Sequence, residues 1–315
     1  MGTLDGRVAI ITGGGRGIGA SISRLFAAQG AKLVINDLGG HTDGTGHDEG
    51  PARAIADELN ANGTIAVSDD GDISDTETGE RLVQAAIDQF GKLDIVVNVA
   101  GILRDRMIFN LPPEDWDAVI RVHLRGHYST VRPASAYWRS QRNPNGNYRI
   151  INFSSGSGLH GSPGQPNYAA AKLGIVGLTY SLAQGLARYG VTANAIAPGA
   201  STRLTDTIPD DKRVGASVGD SAAPDPKMSP DNVAPLCAYL ASTESSWLTG
   251  RTLSASGYRV GLYNNPEVIA EVDSDGPWSL DDLAAKLTST FKPLADGVPY
   301  SAFAAAQVAT AGGQK

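Results

Sequence analysis

The sequence predicts an α/β fold, a doubly wound Rossmann-type parallel sheet of seven strands with helices on both faces. Three observations carry this expectation. Short β-rich runs alternate with segments of helical spacing along most of the chain. A glycine cluster, Thr12-Gly13-Gly14-Gly15-Arg16-Gly17-Ile18-Gly19, follows the first run and leads into an amphipathic helix. The length of 315 residues and a hydrophobic content of 41% suit one large core rather than two small ones.

The β-rich runs are Val8 to Thr12, Lys32 to Asn36, Thr64 to Ser68, Leu93 to Val99, Arg149 to Ser154, Thr192 to Ala197 and Thr252 to Ala255. Helical spacing covers Ile18 to Gln29, Ala52 to Asn62, Glu77 to Phe90, Pro113 to Arg142, Tyr168 to Tyr189 and Asp231 to Ser242. Three stretches break the rhythm: Leu38 to Pro51, Leu204 to Pro230, and the tail after Tyr258. The first two read either as loops over a ligand, which in an open parallel sheet collects beyond the carboxyl ends of the strands, or as surface insertions. The organisation expected is one Rossmann-type domain over residues 1–258, with a C-terminal extension, 259–315, packed on it.

Charge and cysteine content narrow the function classes. A net charge of -7 and no Lys/Arg-rich run argue against a nucleic-acid surface or an anionic membrane as partner, leaving a small molecule. Cys237 is the only cysteine, so neither an internal disulfide nor a cysteine zinc site is possible, and the residue reads as a small core side chain. His123 and His127 stand four apart on a predicted helix, but Leu124-Arg125-Gly126 between them lacks the acidic residue of a zinc-protease helix; no metal is expected. No Gly-x-Ser-x-Gly turn points to a serine hydrolase. Met1 to Arg7 lack the basic-then-apolar pattern of an export signal, so a cytoplasmic location is expected.

Glycines at Gly13, Gly15, Gly17 and Gly19 permit a tight turn and let the backbone approach a pyrophosphate at a helix N-terminus, where unpaired N–H groups point outward. Asp37 closes the second strand eighteen positions after Gly19. Its carboxylate can accept from both hydroxyls of an adenosine ribose and would repel a 2'-phosphate. With Leu38 rather than arginine next, NAD is favoured over NADP. Taken alone, Asp37 is equally a turn residue before Gly39-Gly40.

Tyr168 and Lys172 are four apart at the start of a predicted helix and so share a face. A phenol is a poor base near neutral pH, since its ordinary pKa is about 10. A neighbouring ammonium stabilises the phenolate and brings proton exchange with an alcohol oxygen within reach. Ser155, thirteen positions before Tyr168 at a strand end, is placed to hold that oxygen by hydrogen bonding.

With the glycine loop and Asn98-Val99-Ala100-Gly101 after the fourth strand, these residues resemble the short-chain dehydrogenase/reductase family. The resemblance implies that Tyr168 is the catalytic acid/base, Lys172 its pKa-lowering partner and nicotinamide-ribose ligand, and Ser155 the group that orients the carbonyl or hydroxyl. It further implies that Asn98, Ala100 and Gly101 line the cofactor cleft beside Gly13, Gly15, Arg16, Gly17, Ile18 and Gly19. Asp72 and Ile73 would flank the adenine ring, and Pro198 and Gly199 the nicotinamide. The family's usual threonine position instead holds Arg203, next to Thr202. His123 stands where most of the family carry the asparagine that anchors a proton-relay water.

Within the family, Asn36 to Gly40, Ala100 to Arg106, Val122 to Gly126 and Gly164 to Tyr168 resemble the dehydrogenase domains of peroxisomal multifunctional enzymes type 2 and their bacterial stand-alone relatives. That branch implies NAD-dependent oxidation of a (3R)-hydroxyacyl-CoA, fatty or steroid, in β-oxidation, by a homodimer or homotetramer. Its two-fold interface would involve the helices from Pro113 and Tyr168. A 17β-hydroxysteroid dehydrogenase acting on free steroid and a 3-ketoacyl reductase keep the same chemistry as alternatives. A non-enzymatic NAD-binding scaffold is a more remote one. Arg104 and Arg106, after the fourth strand, read either as partners for CoA phosphates or as surface ion pairs.

Overall fold

A computed structural model gives the fold and describes residues 2–201, 225–297 and 299. One sheet has the strand order β3-β2-β1-β4-β5-β6-β7-β8. The strands are β1 (Val8–Thr12), β2 (Lys32–Asn36), β3 (Ala66–Asp69), β4 (Ile95–Asn98), β5 (Tyr148–Phe153), β6 (Val191–Gly199), β7 (Arg251–Ser256) and β8 (Arg259–Leu262). The first seven are parallel in register, as expected, and the order reverses between β1 and β4, opening a crevice beyond their carboxyl ends.

The eighth strand corrects the expected seven-stranded sheet. A turn at Gly257-Tyr258 folds β8 back antiparallel on β7, pairing Ser256 with Arg259 and Leu253 with Leu262. Val260 and Leu262 remain exposed, so this edge strand lacks the buried face that makes a strand readable from its sequence.

The helices are α1 (Gly17–Ala28), α2 (Gly50–Ala61), α3 (Thr76–Phe90), α4 (Pro113–Ile120), α5 (Gly126–Ser140), α6 (Gly156–His160), α7 (Pro166–Leu186), α8 (Ala234–Ala241), α9 (Leu280–Thr290) and α10 (Lys292–Ala295). The single helix expected over Pro113 to Arg142 is divided: a π-helical turn, Arg121–Arg125, separates α4 from α5. Such turns admit an extra residue per ring and gather at functional sites; this one buries His123. In the C-terminal segment α9 has no buried residue. Thr202, Arg203, most of the Leu204 to Pro230 stretch and the final residues lie outside the described part.

Alternation along the strands supplies a core to each face of the sheet. Ala9, Ile11, Ile95, Val97 and Ile151 meet α1, α2 and α8 through Ile22, Phe26, Leu59 and Leu236, in the cluster that also contains Cys237. Val8, Ile10, Val96 and Ile150 meet α3, α5 and α7 through Leu82, Val131, Trp138 and Ala183. Trp138 is fully buried, stacks on Tyr148 at 5.2 Å between centroids and donates Nε1 to the Leu93 carbonyl at 2.8 Å. Replacing it with alanine removes packing and leaves that carbonyl unpaired. Trp138→Ala is expected to lower unfolding stability by about 3–5 kcal/mol, read from the midpoint of urea denaturation.

Candidate active site

The glycine loop leaves β1 with Gly13 at φ +65, a left-handed conformation, and a Cβ there would run into the Ala100 backbone at 2.8 Å. Thr12 Oγ1 accepts from the Val99 and Ala100 N–H groups at 3.2 and 3.4 Å, joining the loop to the end of β4. Asp37 is pinned from two sides: Oδ2 accepts from the Gly15 N–H at 3.0 Å and Oδ1 from the Gly39 N–H at 2.9 Å. Arg16 is drawn aside to the Gly40 carbonyl at 3.2 Å and toward Asp48. Ile18 packs on the core beneath. A close backbone turn, a helix N-terminus and a fixed carboxylate one strand away fit a dinucleotide.

The remaining cofactor-side residues have settled places. Asp72 accepts from the Ser74 N–H at 2.8 Å, while Ile73 is buried against Gly126 at the start of α5. Asn98 spends its side chain inside the protein, donating to Asn152 Oδ1 at 3.1 Å and accepting from Thr130 Oγ1 at 2.7 Å. Pro198 and Gly199 end β6, paired with Ala255 and Ser256 of β7.

Ser155 caps α6, its Oγ accepting from the Ser157 N–H at 3.2 Å. Tyr168 and Lys172 stand one turn apart on α7, and Lys172 Nζ is 5.5 Å from the Tyr168 ring centre. Lys172 is buried, its Nζ donating to the Phe153 carbonyl at 2.7 Å. Burial pushes Tyr168 up to about 12, with the Ser155 hydroxyl opposing that shift and the Asp105 carboxylate adding to it. Burial likewise brings Lys172 down to about 7. Burial thus disfavours the charged form of both groups.

The π-helical turn sets His123 edge-on to Tyr168, with ring centres 5.0 Å apart. Its Nε2 meets the Ile102 N–H at 3.1 Å and the Ile102 carbonyl at 2.8 Å, while Nδ1 is buried with no partner among the described residues. The ring fills the space where a Cβ at position 101 would stand, which accounts for Gly101. His127 approaches the His123 carbonyl through Nδ1 at 2.6 Å and the Phe153 N–H through Nε2 at 3.4 Å. Burial, then Lys172, holds His123 well below the ordinary histidine range and His127 down to about 3. Both rings are neutral, and each bonds backbone.

Several participants escaped the sequence reading. Gln165 donates Nε2 to Asp105 at 2.8 Å and accepts from Ser157 Oγ at 2.8 Å. Asn167 donates to the carbonyls of Arg104 and Asp115 at 3.0 and 3.2 Å. Their sequence signal was membership of the Gly164 to Tyr168 stretch that carries the branch resemblance, with no role attached to either side chain. Arg104 donates to the Asp43 carbonyl at 2.8 Å and pairs with Asp115 at 3.2 Å; Arg106 is exposed.

Residues 13–257 match the family profile described as enoyl-(acyl carrier protein) reductase. The chain is 40% identical over 293 residues to the hydroxyacyl-CoA dehydrogenase ChsB1 of Mycobacterium tuberculosis, covering 91% of this chain and 89% of that protein. It is 41% identical over 238 residues to the mouse peroxisomal multifunctional enzyme type 2, matching 75% of this chain but only 30% of that longer protein. A crystal structure of a short chain dehydrogenase from Mycobacterium avium superposes with a TM-score of 0.81 at 40% identity, covering 96% of this chain and all of that one.

The buried lysine makes stability depend on pH. An unfolded Lys172 titrates near its ordinary 10.5 and a folded one near 7, so between these values the unfolded chain holds a proton that the folded chain has released. Stability from this group therefore rises with pH through that window. Lys172→Met is expected to stabilise the fold by a few kcal/mol at pH 7, with the gain vanishing toward pH 10.5. Urea unfolding of both proteins across this range measures the difference.

Proposed function

The chain belongs to the short-chain dehydrogenase/reductase family and is an oxidoreductase, and from that premise we propose that it oxidises a (3R)-hydroxyacyl-CoA to the 3-ketoacyl-CoA with NAD. The observation that carries this reading is the meeting of Ser155, Tyr168 and Lys172 in the crevice beside the glycine loop and Asp37. The name and extensive match of the mycobacterial hydroxyacyl-CoA dehydrogenase support the substrate class.

Ser155 Oγ holds the substrate oxygen, and Tyr168 removes the hydroxyl proton as the carbinol carbon loses its hydride. Bound NAD supplies the hydride acceptor. Lys172, kept dry against the Phe153 carbonyl, favours the phenolate when it carries its proton. His123 steadies the Tyr168 ring, a positioning role that its edge-on contact supports. Asp37 selects NAD: its carboxylate is locked in place by two N–H groups, and a 2'-phosphate there would meet uncompensated negative charge.

Steady-state kinetics with NAD and NADP, on a 3-hydroxyacyl-CoA and a free 17β-hydroxysteroid, test the proposal. The expected result is highest kcat/KM for NAD with the CoA ester, and a loss of turnover of ~10²- to 10⁴-fold in Tyr168→Phe with NAD binding retained. Greater efficiency on the free steroid overturns the thioester assignment; a preference for NADP overturns the role of Asp37.

A homo-oligomer completes the reading. Trp116, Tyr128 and Leu173, on α4, α5 and α7, are exposed apolar and aromatic side chains of the kind that a two-fold interface buries. Light scattering at micromolar concentration is expected to return a dimer or tetramer of the 32.7 kDa chain; a monomer contradicts it.

A further inference from the structure

Gln165 stands at the N-cap of α7, where a helix ordinarily carries a side chain that caps its first N–H groups, yet its own side chain makes no such bond. We propose that Gln165 is a positioning residue of the active site, which acts through Ser157 to hold the Ser155 hydroxyl toward Tyr168. The inference rests on the reading of Ser155 as the group that holds the substrate oxygen.

Gln165 and Ser157 are both buried. The Gln165 amide is held at its two ends, Nε2 donating to Asp105 Oδ2 at 2.8 Å and Oε1 accepting from Ser157 Oγ at 2.8 Å. Its backbone is engaged as well: the N–H donates to the Ser162 carbonyl at 3.0 Å and the carbonyl accepts from the Ala169 N–H at 2.8 Å. Turning the amide away would leave a buried hydroxyl without its acceptor. Ser157 in turn belongs to α6, a helix of five residues whose cap is Ser155. The Ser157 N–H donates to Ser155 Oγ at 3.2 Å, and the Ser155 carbonyl accepts from the Gly158 and Leu159 N–H groups at 3.0 and 3.2 Å.

So short a helix has too few bonds of its own to be rigid, and its place depends on what it is tied to. Gly158 lies against α7, where a Cβ would stand 2.7 Å from that of Lys172, and the Ser157 hydroxyl supplies the directional tie, through Gln165, to the start of α7 and to the turn after β4. The Ser157 N–H occupies one lone pair of Ser155 Oγ, leaving the hydroxyl hydrogen and the second lone pair for Tyr168 and the substrate oxygen. Hydrogen bonding from Ser155 already favours the Tyr168 phenolate, so the two side chains face one another and α6 sets the angle at which they meet. The path from Gln165 to Ser155 includes no residue of the glycine loop and does not pass through Asp37.

Gln165→Met keeps the bulk of the side chain and removes both of its bonds. In oxidation of a 3-hydroxyacyl-CoA by the full chain, kcat is expected to fall by about 10- to 100-fold with the KM for NAD unchanged. Ser157→Ala cuts the same path, so the double variant is expected to lose no more than the worse single one. Gln165→Glu sets a carboxylate against Asp105 and is expected to lose turnover as well; adding Asp105→Asn, whose amide can donate to it, restores kcat, a rescue that a merely structural role does not provide. Crystal structures of the wild type and Gln165→Met read the same point without turnover, Ser155 Oγ leaving its contact with the Ser157 N–H in the variant. Independent, additive losses in the double variant, or a Ser155 hydroxyl that keeps its place in Gln165→Met, overturn the proposal. Failure of the dehydrogenase reading shows separately, as an absence of turnover in the wild type, while the two crystal structures still decide the role of Gln165.

Discussion

The constraint on which this site depends is the burial of Lys172. An ammonium loses most of its hydration when it is withdrawn from water, and a single carbonyl, that of Phe153 at 2.7 Å, is its only hydrogen-bond acceptor among the described residues. Every neighbouring group must tolerate that. His123 and His127 are neutral, partly because a second cation beside Lys172 would be repelled. Both imidazoles bond backbone groups instead, His123 through Nε2 alone, and in doing so they fasten the π-helical turn to β5 and to the strap that follows β4, Ile102 to Arg106. The low-dielectric setting that depresses the lysine also raises the tyrosine.

The sheet delivers these groups through polar pegs that cross its centre. Asn98 of β4 and Asn152 of β5 are register partners, and their amides bond each other across the strands. Thr130 of α5 completes one end of the ladder and Thr179 of α7 the other, at 2.7 and 2.9 Å. A buried amide left unpaired costs more than a hydrogen bond returns, so slipping either strand or either helix by one residue would strand several groups at once. The ladder thus fixes α7, and with it Tyr168 and Lys172, relative to the strand end that carries Ser155.

Much of this was legible in the sequence where chemistry imposes a spacing within one segment. The glycine loop, the carboxylate closing the second strand, and the Tyr168–Lys172 turn each declare themselves locally, and the parallel sheet followed from the alternation of runs. What stayed hidden depends on partners remote in the chain. Gln165 and Asp105 are sixty residues apart, and nothing in either segment announces the other. The division of Pro113 to Arg142 by a π-helical turn left the apolar period almost undisturbed, because one added residue displaces a short pattern very little. Arg104 was ambiguous for the opposite reason: a guanidinium suits a phosphate or a carboxylate equally, and only the fold placed Asp115 beside it.

The insertion after Asp37 gains its meaning from the same remote pairing. Read alone, Leu38 to Pro51 was a cover for the cofactor or a surface excursion. In the structure Thr42 and Asp43 accept from Leu103 and Arg104, and Gly44 lies against Ile102. The strap so held bonds His123 through Ile102, Asn167 through Arg104 and Gln165 through Asp105. Asp37 itself belongs to this insertion through the Gly39 N–H. The insertion and the polar contacts along it therefore link the carboxylate that would hold the ribose to the residues immediately before Tyr168. Two ends of a cleft that arise from different halves of the chain are tied without crossing the sheet. A displacement at either end disturbs hydrogen bonds of the strap, so this insertion adds a second tie, beside the strands, between the glycine-loop end of the cleft and Tyr168.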